Sequence, residues 1–216
     1  MTRVKVCGIA EPAHALAAAD AGVDFVGVVF APSPRRVTVE RAREIALALE
    51  RLTAPPQLVG VFVNAPAGEV NRVVEHCRLD WVQLSGDEPW DYVRTIRAQV
   101  IKAIRVRPGQ DSAEIAAMIE AGLTPGAPDF LCLLDCHVEG SYGGSGRVFD
   151  WAVAREVGRR YPVIVAGGLT PDNVGEAIGM AQPWGVDVSS GVESDGVKDV
   201  SRIRAFVAAV RAKNGT

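Results

Sequence analysis

VIVAGGLTPDNVGEAI at residues 163–178 and GVDVSSGVE at residues 185–193 share one design: a short apolar run, then glycines and small residues, then a helix-start signal. Gly167 and Gly168 let the backbone approach a ligand closely and adopt φ > 0 without steric cost. A helix starting near Pro171 would aim its free N–H groups at whatever occupies the turn, which favours an anion. Ser189, Ser190 and Gly191 supply a second set of donors after the next strand. A single glycine turn after a strand is ordinary punctuation. Two of them on consecutive strands at the end of a β/α chain predict the phosphate cradle of a TIM barrel, commonly built from the loops after strands 7 and 8.

Working back from that pair, the same alternation runs through the whole chain. Eight apolar runs read as strands: VKVCG from Val4, DFVGVVF from Asp24, QLVGVFV from Gln57, WVQL from Trp81, VIKAI from Val100, FLCLLD from Phe130, PVIVA from Pro162 and GVDVS from Gly185. Each is rich in Val, Ile, Leu or Phe and bounded by turn residues, as in a parallel sheet covered by helices. Between them lie amphipathic stretches such as residues 40–51, with Ala42, Ile45, Ala46 and Leu49 on one stripe, and residues 113–121. Eight units over 216 residues leave 27 each, close to the minimum for a βα repeat. Strand–helix alternation predicts a parallel sheet with right-handed crossovers. An open doubly wound sheet is the competitor; the unit count and the paired turns favour a closed (β/α)8 barrel, expected as a single α/β domain over residues 1–216.

Composition narrows the function classes. A hydrophobic fraction of 48% with 23% charged residues describes a soluble chain with ample core material, and a net charge of −3 argues against a nucleic-acid surface. No stretch approaches the roughly 18 apolar residues of a membrane span, and the N-terminus shows no secretory signal. A cytoplasmic location is expected, with no membrane partner. Cys7, Cys77, Cys132 and Cys136 are scattered, unlike a disulfide framework. The cluster Cys132, Cys136 and His137 lacks a second ligand pair, and alternation sends Cys132 and Asp135 to opposite faces, so no metal is expected.

Chemistry in such a barrel sits at the C-terminal strand ends. Strand 1 ends in Cys7, strand 6 in Asp135, and strand 8 carries Asp187 into Ser189. Arg35 and Arg36 follow strand 2 in the loop APSPRR, stiffened by Pro32 and Pro34. Lys5 lies two residues before Cys7 and shares its face, so an ammonium below the thiol is expected to favour the thiolate. Lys102 is expected as a second interior lysine, with Asp135 and Asp187 as the candidate carboxylate partners. Singly, each has a bland reading: a buried thiol, a helix cap, a solvated arginine. Their joint placement facing two phosphate turns favours a site.

These residues spell a family. KVCGI (residues 5–9), FVGVVFAPSPRRV (25–37), GVFVN (60–64), VQLSGDE (82–88), IKAI (101–104), LLD followed by GGSGRVFDW (133–135 and 143–151), AGGLTPDNV (166–174) and DVSSGVESDGVKD (187–199) resemble phosphoribosylanthranilate isomerase, in the family's order along the chain. The resemblance implies an Amadori rearrangement of N-(5-phosphoribosyl)anthranilate in tryptophan biosynthesis. It implies Asp135 as general acid on the furanose oxygen and Cys7 as general base on the C2 proton. Arg36 would pair with the anthranilate carboxylate. Gly168, Ser190 and Gly191 would hold the phosphate, helped by the GGSG loop with Gly143 and Gly144, and Asp187 would contact a sugar hydroxyl. Lys5, Gly167 and Ser189 complete the expected binding set. No cofactor and no metal are implied, and a monomer or homodimer acting on a small phosphorylated molecule is expected.

Two departures stand out: Ser85 where the family usually reads QLHG, and Ala10 where it often has Thr. Three rival functions fit the chain less well. A sister isomerase of the histidine pathway would use two aspartates, against Cys7 here. An indole-glycerol-phosphate-synthase-like lyase would carry catalytic lysines and a glutamate in motifs this chain lacks. A non-catalytic phosphometabolite-binding barrel has no need of a Cys7/Asp135 pair.

Overall fold

Eight parallel strands close on themselves in sequence order in a computed structural model that describes residues 1–123, 129–136 and 150–214. The strands are β1 (Arg3–Cys7), β2 (Phe25–Val29), β3 (Gln57–Phe62), β4 (Trp81–Leu84), β5 (Gln99–Val106), β6 (Phe130–Cys136), β7 (Val163–Val165) and β8 (Gly185–Val188). The seam between first and last strands is in register, Lys5 opposite Asp187 and Val6 opposite Val188. Helices α1 (Pro12–Ala21), α2 (Val39–Leu49), α3 (Ala67–Cys77), α4 (Trp90–Val93), α5 (Ser112–Glu120), α6 (Trp151–Gly158), α7 (Val174–Ala181) and α8 (Val200–Asn214) follow the strands in turn. This is the closed barrel expected from the alternation, and the open sheet is excluded.

Alternation along each strand divides two layers. Outward-pointing Val4, Val6, Val26, Val28, Val82, Ile104, Leu134 and Val186 pack with the helices in the large core. The interior is smaller: Phe25, Val59, Ile101, Leu131, Leu133, Ile164 and Ala166. Trp81 and Trp184 close its N-terminal end against Phe25, each with ring centroids 6.0 Å from it. The barrel is therefore a filled core whose chemistry is confined to the opposite mouth.

Helix starts follow the capping residues. The Thr38 hydroxyl accepts from the Arg41 amide at α2, and Asp111 and Asp150 do the same work at α5 and α6. The stripe Ala42, Ile45, Ala46 and Leu49 is the buried face of α2. One boundary differs from expectation: α7 begins at Val174 rather than near Pro171. Asn173 explains it, since its Oδ1 accepts from the Thr170 amide at 2.8 Å and its Nδ2 donates to the Gly168 carbonyl at 2.9 Å, clipping residues 168–173 into a turn.

One element had no counterpart in the sequence reading. After β8 a 3-10 turn, Ser190–Val192, leads into a small antiparallel hairpin of β9 (Glu193–Ser194) and β10 (Val197–Lys198). Its turn places Asp195 at φ 52° and Gly196 at φ 78°, the pattern that favours an Asp-Gly pair.

Candidate active site

Cys7 ends β1 on the inner face, within a small apolar cluster with Val29, Ala31 and Val61. Gly27 on the adjacent strand makes room for it: a Cβ there would lie 2.9 Å from the Cys7 sulfur and 3.3 Å from the Lys5 Nζ. Two residues below, Lys5 is only 1% exposed and donates to Asp187 Oδ1 at 3.0 Å across the barrel seam. Burial penalises the Lys5 ammonium, yet Asp187 and the neighbouring thiol overcome that and hold its pKa above the ordinary lysine value. The expected Lys5–Asp187 partnership is therefore present.

Lys5 favours the thiolate of Cys7 as expected, but it does not decide the net direction. Burial dominates and pushes the thiol above its ordinary value; Lys5 and Lys198 pull it down, Asp187 pushes it up, and the net direction is upward. The apolar neighbours Val29, Ala31 and Val61 and the near-complete enclosure outweigh the ammonium below.

The reading of Lys102 is also corrected. On β5, Ile101 and Ala103 belong to the interior, so Lys102 points to the helix layer. There it donates to Glu88 Oε2 at 2.9 Å and to the Gly86 carbonyl at 3.1 Å. Asp187 pairs with Lys5 instead. Glu88 also accepts from the Asn64 amide at 2.7 Å and the Gly86 amide at 3.0 Å, so the GDE segment ties the loops after β3 and β4 to strand β5.

Leu131 and Leu133 face the interior, and alternation along β6 puts Asp135 on the same face at the mouth. Cys132 points the other way, into the helix-facing core, where burial pushes its thiol up to about 12. Among the described residues no three His, Cys, Asp or Glu side chains gather as metal ligands. His137, Gly143 and Gly144 lie outside the described residues.

The two glycine turns meet. Gly167 and Gly168 have φ 88° and 64°, a region costly for side chains. At Gly191 any Cβ would run into the Leu169 carbonyl, so only glycine lets the β8 turn rest on the β7 turn. Ser189, Ser190 and Gly191 follow β8 as expected, with the Ser189 carbonyl accepting from Lys198 Nζ at 2.9 Å. Ser85, directly after β4, is buried and its hydroxyl accepts from Gln83 Nε2 at 3.0 Å. Gln83 Oε1 is buried with no hydrogen-bond partner among the described residues. Arg36 is exposed at the end of the β2 loop, beside a pocket lined by Phe30, Phe62 and Ala65, and its guanidinium has no ion pair among the described residues.

Sequence reasoning missed a charged bridge beside this mouth. Arg35 donates from Nε and Nη2 to the two carboxylate oxygens of Glu193, at 2.6 and 2.7 Å, and Lys198 donates to Glu193 Oε1 from the other side. The Asp195-Gly196 turn was the one signal that could have revealed the hairpin carrying Glu193 and Lys198.

Comparison with known proteins places this architecture. A profile of the family described as N-(5'-phosphoribosyl)anthranilate (PRA) isomerase matches residues 4–209. The N-(5'-phosphoribosyl)anthranilate isomerase of Dehalococcoides mccartyi is 48% identical over 215 residues, covering 100% of this chain and 98% of that one. The crystal structure of phosphoribosyl anthranilate isomerase from Thermotoga maritima superposes with TM-score 0.84 at 37% identity, covering 100% of both chains. A structure of the enzyme in complex with reduced 1-(o-carboxyphenylamino)-1-deoxyribulose 5-phosphate gives TM-score 0.82 at 35% identity, covering 98% of this chain and 100% of that one.

Proposed function

The chain belongs to the N-(5'-phosphoribosyl)anthranilate isomerase family and is an isomerase of tryptophan biosynthesis; from that premise we propose that Cys7 is its general base and Asp135 its general acid. The substrate is N-(5-phosphoribosyl)anthranilate and the product its 1-(2-carboxyphenylamino)-1-deoxyribulose 5-phosphate isomer. The observation that carries the assignment is the enclosed Cys7 thiol at the mouth, above a neutralised Lys5–Asp187 pair.

The Asp135 carboxyl gives its proton to the furanose oxygen. The C1–O bond breaks, and the anthranilate nitrogen lone pair forms the C=N bond of a protonated Schiff base. The Cys7 thiolate then takes the C2 proton, and the electrons of that C–H bond become the C1=C2 bond of an enolamine. The enolamine then tautomerises to the ketone, losing its enol proton to solvent as C1 gains one from it, and passage of the C2 proton from Cys7 through solvent to Asp135 restores both groups. Acid and base must reach different atoms of one small sugar, which suits two strand ends on different sides of a barrel mouth. No cofactor enters this scheme.

The remaining calls complete the pocket. Gly167, Gly168, Ser189, Ser190 and Gly191 form the phosphate cradle, and Asp187 meets a sugar hydroxyl beside its bond to Lys5. Arg36 takes the carboxylate of the anthranilate through its planar fork. The substrate-like ligand of the solved relative carries both a phosphate and a carboxyphenyl group, which supports that division of the mouth. We place the enzyme in the cytoplasm.

Steady-state kinetics with phosphoribosylanthranilate, followed by loss of its fluorescence, test the scheme. Cys7→Ser and Asp135→Asn should each lower turnover on the order of 10²–10⁴-fold with the fold retained. Arg36→Ala should mainly raise KM, and Ser85→His should cost less than either catalytic change. Near-wild-type turnover in Cys7→Ser would remove the acid–base assignment.

A further inference from the structure

The bridge between Arg35, Glu193 and Lys198 has no part in the scheme above, yet it crosses directly over the end of β1. Arg35 comes from the loop after β2, and Glu193 and Lys198 from the hairpin after β8, the two strands that flank β1. Gly8, the residue after Cys7, passes beneath them: a Cβ there would meet Arg35 Cδ at 2.5 Å and Ser189 Oγ at 3.1 Å. Lys198 and Glu193 side chains are 3% and 6% exposed, unlike surface ion pairs. Lys198 reaches past Glu193 to the Ser189 carbonyl at 2.9 Å, so the bridge ends on the turn assigned to the phosphate.

We propose that the Arg35–Glu193–Lys198 bridge is a positioning device for the isomerase reaction, setting the charge felt by Cys7 and the placement of the Ser189 turn through one hairpin. The inference rests on the reading of Cys7 as base. The charged groups whose fields reach the thiol are Lys5 from β1, Asp187 from β8, Lys198 from β10 and Arg35 from the β2 loop. Lys198 and Arg35 favour the thiolate, and Glu193, bound to both, offsets them. Removing Lys198's charge and removing Glu193's charge must therefore act on Cys7 in opposite directions. A bridge that only holds two loops together predicts losses of the same kind from both.

The test is the pH dependence of Cys7 alkylation by iodoacetamide on the full-length chain without substrate, read by mass spectrometry of the Cys7 peptide. Lys198→Met should move the midpoint up, and Glu193→Gln should move it down, each on the order of one pH unit. Lys198→Arg should keep the wild-type midpoint. The acid limb of the kcat/KM profile should follow in the same directions. Midpoints that stay put, or that move the same way in both variants, overturn the proposal. If Lys198→Met fails to fold, Glu193→Gln against Lys198→Arg still decides. The two readings fail separately: an active Cys7→Ser removes the base assignment without touching the alkylation midpoints, whereas unmoved midpoints with an inactive Cys7→Ser remove only the bridge's role.

Discussion

Lys5 shows how strongly one buried charge depends on its partner. Its ammonium is enclosed by the barrel and neutralised by Asp187 at 3.0 Å. Asp187→Asn leaves that ammonium uncompensated and should cost about 3–5 kcal/mol, measured by urea unfolding at neutral pH. Replacing the pair together, Lys5→Met with Asp187→Leu, should recover much of the loss. If the single substitution is as stable as wild type, water reaches Lys5 and the enclosure described above is wrong. The position of Lys102 teaches a different lesson about single residues. Its strand carried no fixed parity in the sequence, because Val100, Ile101, Ala103 and Ile104 are apolar on both faces, as buried parallel strands are. Only the register with β4 and β6 shows that Ile101 faces inward and Lys102 faces out.

At the level of elements, the β7 and β8 turns behave as one piece because Gly191 rests on the Leu169 carbonyl. Gly191→Ala must push them apart, an overpacking typically worth about 1–3 kcal/mol. It should also raise KM more than it lowers kcat, since the displaced amides are those proposed to hold the phosphate. Thermal unfolding and steady-state kinetics check both; a variant with unchanged melting and KM would show that the turns move freely. These strands and turns were legible in the chain because each pairs a β-branched run with glycine punctuation in a local window. Strand positions agreed to within a few residues, and the stripe of α2 was the buried one. The hairpin and its bridge were not legible in the same way. Glu193 lies 158 residues from Arg35 and five from Lys198, and no periodic pattern links a loop arginine to a two-residue strand. The orientation of Cys7 could be read, but its ionisation could not, since enclosure by Val29, Ala31 and Val61 comes from other strands.

The whole molecule has a pH window set by its buried groups. Burial works against the Glu193 carboxylate, but hydrogen bonds from Arg35 and Lys198 win and hold it below the ordinary 4.5. A depressed carboxyl stabilises the fold above its unfolded value, and that contribution is lost as pH falls through the folded one. Cys7 and Cys132 are pushed above the ordinary 9.0 by burial. A raised group contributes fully below its unfolded value and loses that contribution as pH rises through the folded one. These groups should make stability to urea fall as pH drops below about 4.5 and as it rises above about 9.0. Glu193→Gln should soften the acid edge and Cys132→Val the alkaline edge; edges that ignore both substitutions would assign them to other groups. The barrel seam adds a consequence in time. Lys5 is translated 182 residues before Asp187, which at about 5–20 residues per second is roughly 10–40 s on the ribosome. Throughout that interval the lysine has no counter-ion and the first strand no neighbour on its closing side. Until the last strand emerges, the growing polypeptide lacks both the carboxylate that pairs with Lys5 and the strand that closes the barrel, so the closed mouth forms only at the end of synthesis.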